Sequence, residues 1–406
     1  MTIAQGISKV LAYKKQTGIG SPASGSGGQE LRRVTSTINL TKETYQSAEI
    51  RTDQQVADFR HGSRQVAGSI QGELSAGTYA DFMASVLRRD FTAVSSISSL
   101  TVTIAADSPN YTITVSTGTP FLTGGIKKGM IIRLSGAGLN AANSGKNLLV
   151  VNVTATVITV APVNGVAMSA ESDIASVSVD IPGKITYVPE SSHTQDFYTV
   201  EHWFDDIDQS EVYTDINPTN VQVSIPANAL STITFPLVGL NVSTGTSQVL
   251  TSPAAISTGT AFSGANGLLY VDGAAVAVIT SIDFDVNGNV APADAVVGSN
   301  VRPDVFQGTV AVSGNMSVYF VDGTFRDYFI NETEVSANVV LTSSNAAGAD
   351  FIGFMMSRIK VGGADVTDGQ NGLTRTFPFT ALKNTAGGAA LADLATTIMV
   401  QDSTLS

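Results

Sequence analysis

The sequence predicts a mainly β protein in which one strand–turn–helix unit occurs twice, the first copy being interrupted by a small all-β module. Three observations carry this expectation. Gly, Ser, Thr, Ala and Val dominate while only 14% of the 406 residues are charged, a composition suited to half-buried strands joined by turns. Val66, Gly68, Ile70, Gly72 and Leu74 alternate along one strand face and run into Gly77-Thr78-Tyr79-Ala80-Asp81-Phe82-Met83. The pattern recurs as Val312, Gly314, Met316, Val318 and Phe320 before Gly323-Thr324-Phe325-Arg326-Asp327-Tyr328-Phe329, without a gap, at an offset of 312 − 66 = 323 − 77 = 246. A second anchor, Thr232-Ile233-Thr234-Phe235-Pro236-Leu237, recurs as Thr374-Arg375-Thr376-Phe377-Pro378-Phe379 at 374 − 232 = 142. The first copy therefore carries 246 − 142 = 104 extra residues between its helix and its last strand.

Each part of the unit has a physical basis. Alternation puts one strand face on a core. Thr78 is expected as a helix N-cap, with Asp81 completing a capping box at the positive helix end; Thr324 and Asp327 repeat the arrangement. Tyr79, Phe82, Met83, Val86 and Leu87 fall at i, i+3, i+4, i+7 and i+8 and make one apolar helical stripe, which Phe325, Tyr328 and Phe329 begin again. Upstream, Asp58 and Gly62 match Asp304 and Gly308, and Ile38 and Leu40 match Phe284 and Val286.

Taken in order, residues 1–30 join an apolar-containing piece to Gly- and Ser-rich linker composition, and are expected to form a flexible N-terminal arm. Residues 31–91 and 186–240 make the first, discontinuous repeat. Within it, 31–40 reads as a strand, 41–61 as a long polar connection and 64–74 as the anchor strand. A connection of that length inside a compact domain points to a task of its own, and its counterpart, 287–307, is equally long. Residues 92–185 are the inserted all-β module, alternating in Leu100, Val102 and Ile104 and in Tyr111, Ile113 and Val115. Residues 241–266 read as a linker. The second repeat with its C-terminal tail, 267–406, opens with a hairpin at Asp272-Gly273, and 397–400 read as a last edge strand.

Composition argues against several kinds of chemistry. There is no Cys, hence no disulfide, thiolate metal site or cysteine nucleophile, and His61, His193 and His202 are scattered. No run approaches 18 apolar residues and the amino end lacks a basic-then-apolar signal, so neither a membrane nor secretion is expected. Asp283-x-Asp285-x-Asn287-Gly288, with Asp294 at the twelfth position, copies the order of an EF-hand loop. However, 279–286 reads as a strand, and Thr37, Asn39 and Thr41 of the first copy supply no matching charge, so an ordinary Asn-Gly turn is preferred. Residues 138–146 miss the phosphate-loop pattern at Asn140 and Asn147. Asp205, Asp206, Asp208 and Glu211 read as a solvated hairpin end, and Trp203 as core or interface. No catalytic, metal or cofactor site is expected. The net charge of −12 is uneven: residues 1–91 hold 11 Lys/Arg against 8 Asp/Glu, and residues 186–406 hold 6 against 22. Attraction between opposite ends of neighbouring subunits and a solubilising surface both fit that asymmetry.

From residue 31 to 89 the order is a strand, a polar loop with Ile50-Arg51-Thr52-Asp53, then Asp58-Phe59-Arg60-His61-Gly62, Val66-Ala67-Gly68-Ser69-Ile70 and the helix. This order resembles the major tail tube proteins of long-tailed bacteriophages, the siphoviruses. The likeness covers both copies and is strongest in the first; Val297 stands where Arg51 stood. The resemblance implies a mainly β fold of two tail-tube-type β-sandwich or barrel repeats, each with one flanking α-helix. It implies a virion protein that is not an enzyme and has no cofactor, present in the host cytoplasm before assembly into the tail. Its rings would stack into a hollow tube that passes double-stranded DNA, with tape measure, tail terminator and distal tail proteins as partners. Two repeats per chain favour a ring of three chains over six.

The long mixed-charge connection offers Glu49, Arg51, Asp53, Asp58 and Arg60 as contacts between rings, and the inserted module is expected to be an outward decoration that can be excised. The lumen is expected to be neutral or acidic. A β-modular adhesin or surface-glycan-binding protein is the alternative from another class, and a glycan-degrading enzyme using Asp205 and Asp208 a further one.

Overall fold

The computed structural model describes residues 3–276, 278–366 and 372–406. It corrects the expected N-terminal arm at once. Strand β1 (Lys9–Lys15) buries Leu11, Ala12 and Tyr13 and pairs along its whole length with residues 198–204. Asp215 Oδ1 then accepts from Gly20 N at 2.6 Å. Apolar alternation within the segment, not its linker-like tail, decides its state.

Next come β2 (Gln29–Glu30), β3 (Thr35–Ser36), β4 (Asn39–Gln46) and β5 (Phe59–Glu73). The expected strand at 31–40 is thus broken and shifted. The chain folds over Gly68 at the break, where an added Cβ would stand 2.6 Å from the Cα of Ile38. The expected connection at 41–61 shrinks to 47–58, because β4 and β5 continue pairing as a polar hairpin with both faces in water. Helix α1 (Ala80–Leu87) buries Phe82, Met83, Val86 and Leu87, with Tyr79 beneath its first turn. Thr78 is not its cap: its hydroxyl is taken by Ser75 Oγ at 2.6 Å, and Tyr79 occupies the cap position without a side-chain bond.

Residues 97–180 form a closed six-stranded barrel. Its elements are β6 (Ile97–Asp107), β7 (Asn110–Val115), α2 (Pro120–Thr123), β8 (Ile131–Ser135), β9 (Leu148–Val153), β10 (Val157–Pro162) and β11 (Glu171–Asp180), in the order β10-β7-β6-β11-β8-β9. Val102, Ile104, Ile113, Phe121 and Val177 fill it. Thr92 and Ile185 exchange backbone hydrogen bonds of 2.8 and 2.9 Å, so the chain leaves and returns at one place. The barrel also has a second apolar surface, Met130, Ile131 and Leu149, packed on Tyr270, Phe351, Met355 and Met399. Lys127 Nζ donates to three carbonyls of the C-terminal tail, those of Gly388, Ala389 and Leu391.

The remaining strands are β12 (Lys184–Tyr187), β13 (Tyr198–Phe204), β14 (Gln209–Pro218), β15 (Asn220–Pro226), β16 (Thr232–Gly239), β17 (Asn241–Gly245), β18 (Gly267–Val271), β19 (Ala274–Ala275), β20 (Ile279–Asn287), β21 (Val290–Pro292), β22 (Val305–Gln307) and β23 (Ala311–Tyr319). Helix α3 (Thr324–Ile330) and β24 (Glu334–Thr342), β25 (Phe351–Val361), β26 (Asp365–Val366), β27 (Thr374–Ala381) and β28 (Met399–Asp402) complete the chain. Asp272 and Gly273 take φ of 48° and 76° in the β18–β19 turn, as a two-residue hairpin requires. Two expectations need correcting. The linker at 241–266 begins as β17 on β14 and buries Leu250 and Phe262. β28 is no edge: it pairs with β12 on one side and β25 on the other.

The repeats keep one register. Leu40 pairs with Val66 as Val286 pairs with Val312, with 286 − 40 = 312 − 66 = 246. Phe235 pairs with Ile70 as Phe377 pairs with Met316, with 377 − 235 = 142. The helices differ more. α3 is capped at Gly323 without a side-chain bond, Asp327 pairs with Arg326, and no residue of α3 is fully buried.

Candidate functional site

The pairings place eight strands side by side in the order β4, β5, β16, β15, β20, β23, β27, β26, with β3 extending β4. Alternation gives this sheet two chemically distinct faces. One face packs Val66, Ile70, Phe235, Phe284, Met316 and Phe377 into the core. The other carries Gln71, Gln222, Ser224, Thr234, Asp283 and Asp285 around an open groove of about 660 Å³. Asp285 accepts from Asn220 Nδ2 at 2.9 and 3.0 Å; burial pushes its pKa up, and that bond opposes the shift.

The two repeats meet within this sheet. β15 and β20 run antiparallel with Val223 opposite Phe284, so the join is an ordinary ladder of backbone bonds. Side chains lock it. Arg88, at the αL C-cap of α1, donates to Gly288 O at 2.7 Å and Gly308 O at 2.6 Å. Arg64 Nη2 donates to Asn300 Oδ1 at 2.9 Å, and Arg302 pairs with Glu43 at 3.2 Å. Val305 is buried with Phe197 and Leu240. Beyond the join, β25 and β26 share the far side of β27, and among the described residues β4 is laddered only to β5 and β26 only to β27, leaving an unpaired edge at each end. Such edges invite pairing with another chain.

The five residues singled out at the hairpin tip are all exposed, but they are not one cluster. Arg51 donates to Asp53 at 2.9 and 3.2 Å, and Arg60 to Asp58 at 3.0 Å. The Arg51 bond, helped by Gln55 N, holds the Asp53 carboxyl below its ordinary range. Glu49 stands apart, its backbone N bonded to Ser47 Oγ. Sequence reasoning missed the lock at Arg88 and Arg64; a lone Arg closing a helix gives no pattern to find.

The polar candidates are dispersed. Asp283 and Asp285 share a strand face, and among the described residues no group of three His, Cys, Asp or Glu is gathered as a metal would need. Asp205 accepts from Trp203 Nε1 at 3.2 Å and Asp206 from Gln5 N at 2.6 Å at the β13–β14 turn. His61 packs edge-on against Phe59. Among the described residues no helix is long and apolar enough to cross a membrane. A family model described as phage tail tube protein matches residues 6–381. No curated protein matches the chain.

Proposed function

The chain belongs to the phage tail tube protein family, and from that premise we propose that it is the non-catalytic subunit of a hollow siphovirus tail tube through which the genome passes. One observation carries this reading: the sheets of the two repeats are already joined edge to edge through β15 and β20, with one edge at each end left unpaired among the described residues. Repeating that join between chains closes a ring of six sheets with three chains. Rings then stack through the β4–β5 hairpin, whose exposed tip holds Glu49, Arg51, Asp53, Asp58 and Arg60. The polar face with Asp283 and Asp285 lines the lumen, and the barrel of residues 97–180 decorates the outside. Tape measure, tail terminator and distal tail proteins are the further partners, met in the host cytoplasm and kept in the virion.

Negative-stain microscopy of the purified protein and the mass of an isolated ring test the reading together. Annular or tubular particles with three 42.0 kDa chains per ring are expected. A ring of six chains would overturn the threefold assignment, and a protein that stays monomeric would overturn the tube.

A further inference from the structure

Phe329 and Ile330, at the end of α3, are exposed, and with Tyr328, Glu332, Lys360 and Val361 they line an open groove of about 390 Å³. The matching place in the first repeat is filled by Gly288 of the second. Gly288 N donates to Thr219 O at 2.8 Å, and an added Cβ would stand 2.9 Å from that oxygen and 3.7 Å from Val86 Cγ1. The equivalences follow from the offsets. At the helix end the closing hydrogen bonds set the match: Arg89 N donates to Ala84 O as Thr333 N donates to Tyr328 O, so with 333 − 89 = 244 Val86 matches Ile330, which is exposed in the groove. Thr219 matches Gly362, because Thr219 N donates to Pro236 O as Gly362 N donates to Pro378 O, and 378 − 236 = 142. Gly288 matches Lys42, with 288 − 42 = 246, and Lys42 is exposed on β4 and forms no ion pair with any described residue.

We propose that this groove seats Lys42 of a second copy of the chain, so that the contact between chains repeats the internal join with lysine in place of glycine. The inference rests on the side-by-side ring reading and adds which residues meet. Space supports it: the internal contact leaves no room for a side chain at Gly288, whereas the groove is open. Charge supports it too. Glu332, 84% exposed at its side chain, stands at the place of Arg88: each is the left-handed residue that closes its helix, with φ of 51° and 62°, and 332 − 88 = 244. Arg88 serves the internal join by donating to carbonyls; between chains the cation comes from the other side and Glu332 receives it. Glu334 is already held by Arg358 at 2.6 and 2.7 Å, and Lys360 lies 3.8 Å from both acids, so the carboxylate that meets an incoming lysine is that of the exposed Glu332. The same docking covers Phe59. It is 53% exposed at the place of Val305, which is 1% exposed beside Leu240. Leu240 matches the half-buried Leu382, with 382 − 240 = 142.

The chain has no cysteine, so a Lys42→Cys, Glu332→Cys double variant of the full chain reports the contact directly. Under a mild oxidant it should give covalent dimers and trimers on denaturing gels, and each single variant should give none. Wild-type rings beside a double variant that stays monomeric under oxidant would overturn the inference while leaving the ring reading intact. A wild-type chain that never leaves the monomer would overturn both. Should the cysteine variant misfold, charge exchange decides the matter. Lys42→Glu should weaken ring formation about threefold per junction at low salt, and adding Glu332→Lys to it should restore assembly. Unchanged assembly of Lys42→Glu would overturn the inference.

Discussion

His202 is 2% exposed, with Nε2 2.8 Å from Ser36 Oγ and its ring edge-on to Tyr213. Burial, reinforced by Lys9 and Arg33, pushes its pKa down to about 3. The ring is therefore neutral near pH 7, and Glu211, 3.7 Å from Nδ1, is not its ion-pair partner. A folded pKa below the unfolded value means that the unfolded chain takes up the proton first. Stability from this group is complete above about pH 6.5 and falls as the pH drops towards 3. Unfolding by urea at pH 7 and pH 4 should differ by about 3 kcal/mol more in the wild type than in His202→Gln; equal differences would contradict the assignment. Gly288 offers a second residue-scale expectation. Its missing Cβ lets the internal join close on Thr219 O, so Gly288→Ala should destabilise the chain by about 1–3 kcal/mol, measured as a lowered urea midpoint at constant slope. At this scale the sequence was a poor guide. The pattern Thr78 to Asp81 has the spacing of a capping box, yet Ser75 and Asp402, remote in pattern or sequence, claim the groups around that turn.

Whole elements were easier to read, because strand and helix periodicities average over many side chains. The stripe from Tyr79 to Leu87 is buried as its spacing requires, while the shorter α3 leaves Phe329 and Ile330 outside, a difference that no local pattern announced. The polar run at 41–46 was read as a connection because neither face is apolar; its backbone pairing with β5 keeps it a strand all the same. That hairpin yields an expectation. Its ion pairs, Arg51 with Asp53 and Arg60 with Asp58, lie between neighbours in the tip and anchor nothing else. Arg51→Glu with Arg60→Glu should leave the thermal midpoint of the monomer unchanged and abolish tubes in the microscope; tubes of normal length would refute a role in stacking. The spacing suggested an excisable decoration, and the barrel shares an apolar surface with the second repeat. Joining residue 93 to residue 184 would bare Tyr270, Phe351, Met355 and Met399, each contributing about 1.5–3 kcal/mol when buried. We expect that shortened chain to bind a hydrophobic dye and to lose its cooperative unfolding. A stable, dye-free product would mean that the shared surface is dispensable.

For the molecule as a whole, duplication was legible from two offsets alone, since the same numbers recur in the ladders of both repeats. The chemistry of the sheet's polar face was only half legible. Alternation told which residues share a face, but which face looks away from the core emerges only when β15 meets β20. The groove on that face, lined by Gln71, Gln222, Ser224, Thr232, Thr234, Asp283, Asp285, Ser313, Asn315 and Thr380, has no Lys or Arg in its lining, and its charges are two carboxylates. Duplex DNA presents one phosphate charge per roughly 1.7 Å, and each cation that neutralises a phosphate adds a salt-dependent hold. A wall that passes DNA should avoid that hold, so assembled tubes should retain no duplex DNA at low salt. Asp283→Lys with Asp285→Lys reverses the sign at both carboxylates in every chain. Tubes of that variant should retain short duplexes, with an affinity that falls as salt rises by roughly 0.9 in log–log slope for each phosphate engaged. Salt-sensitive binding by the unaltered tubes, or none by the lysine variant once its tubes are seen to form, would show that this face does not line the channel.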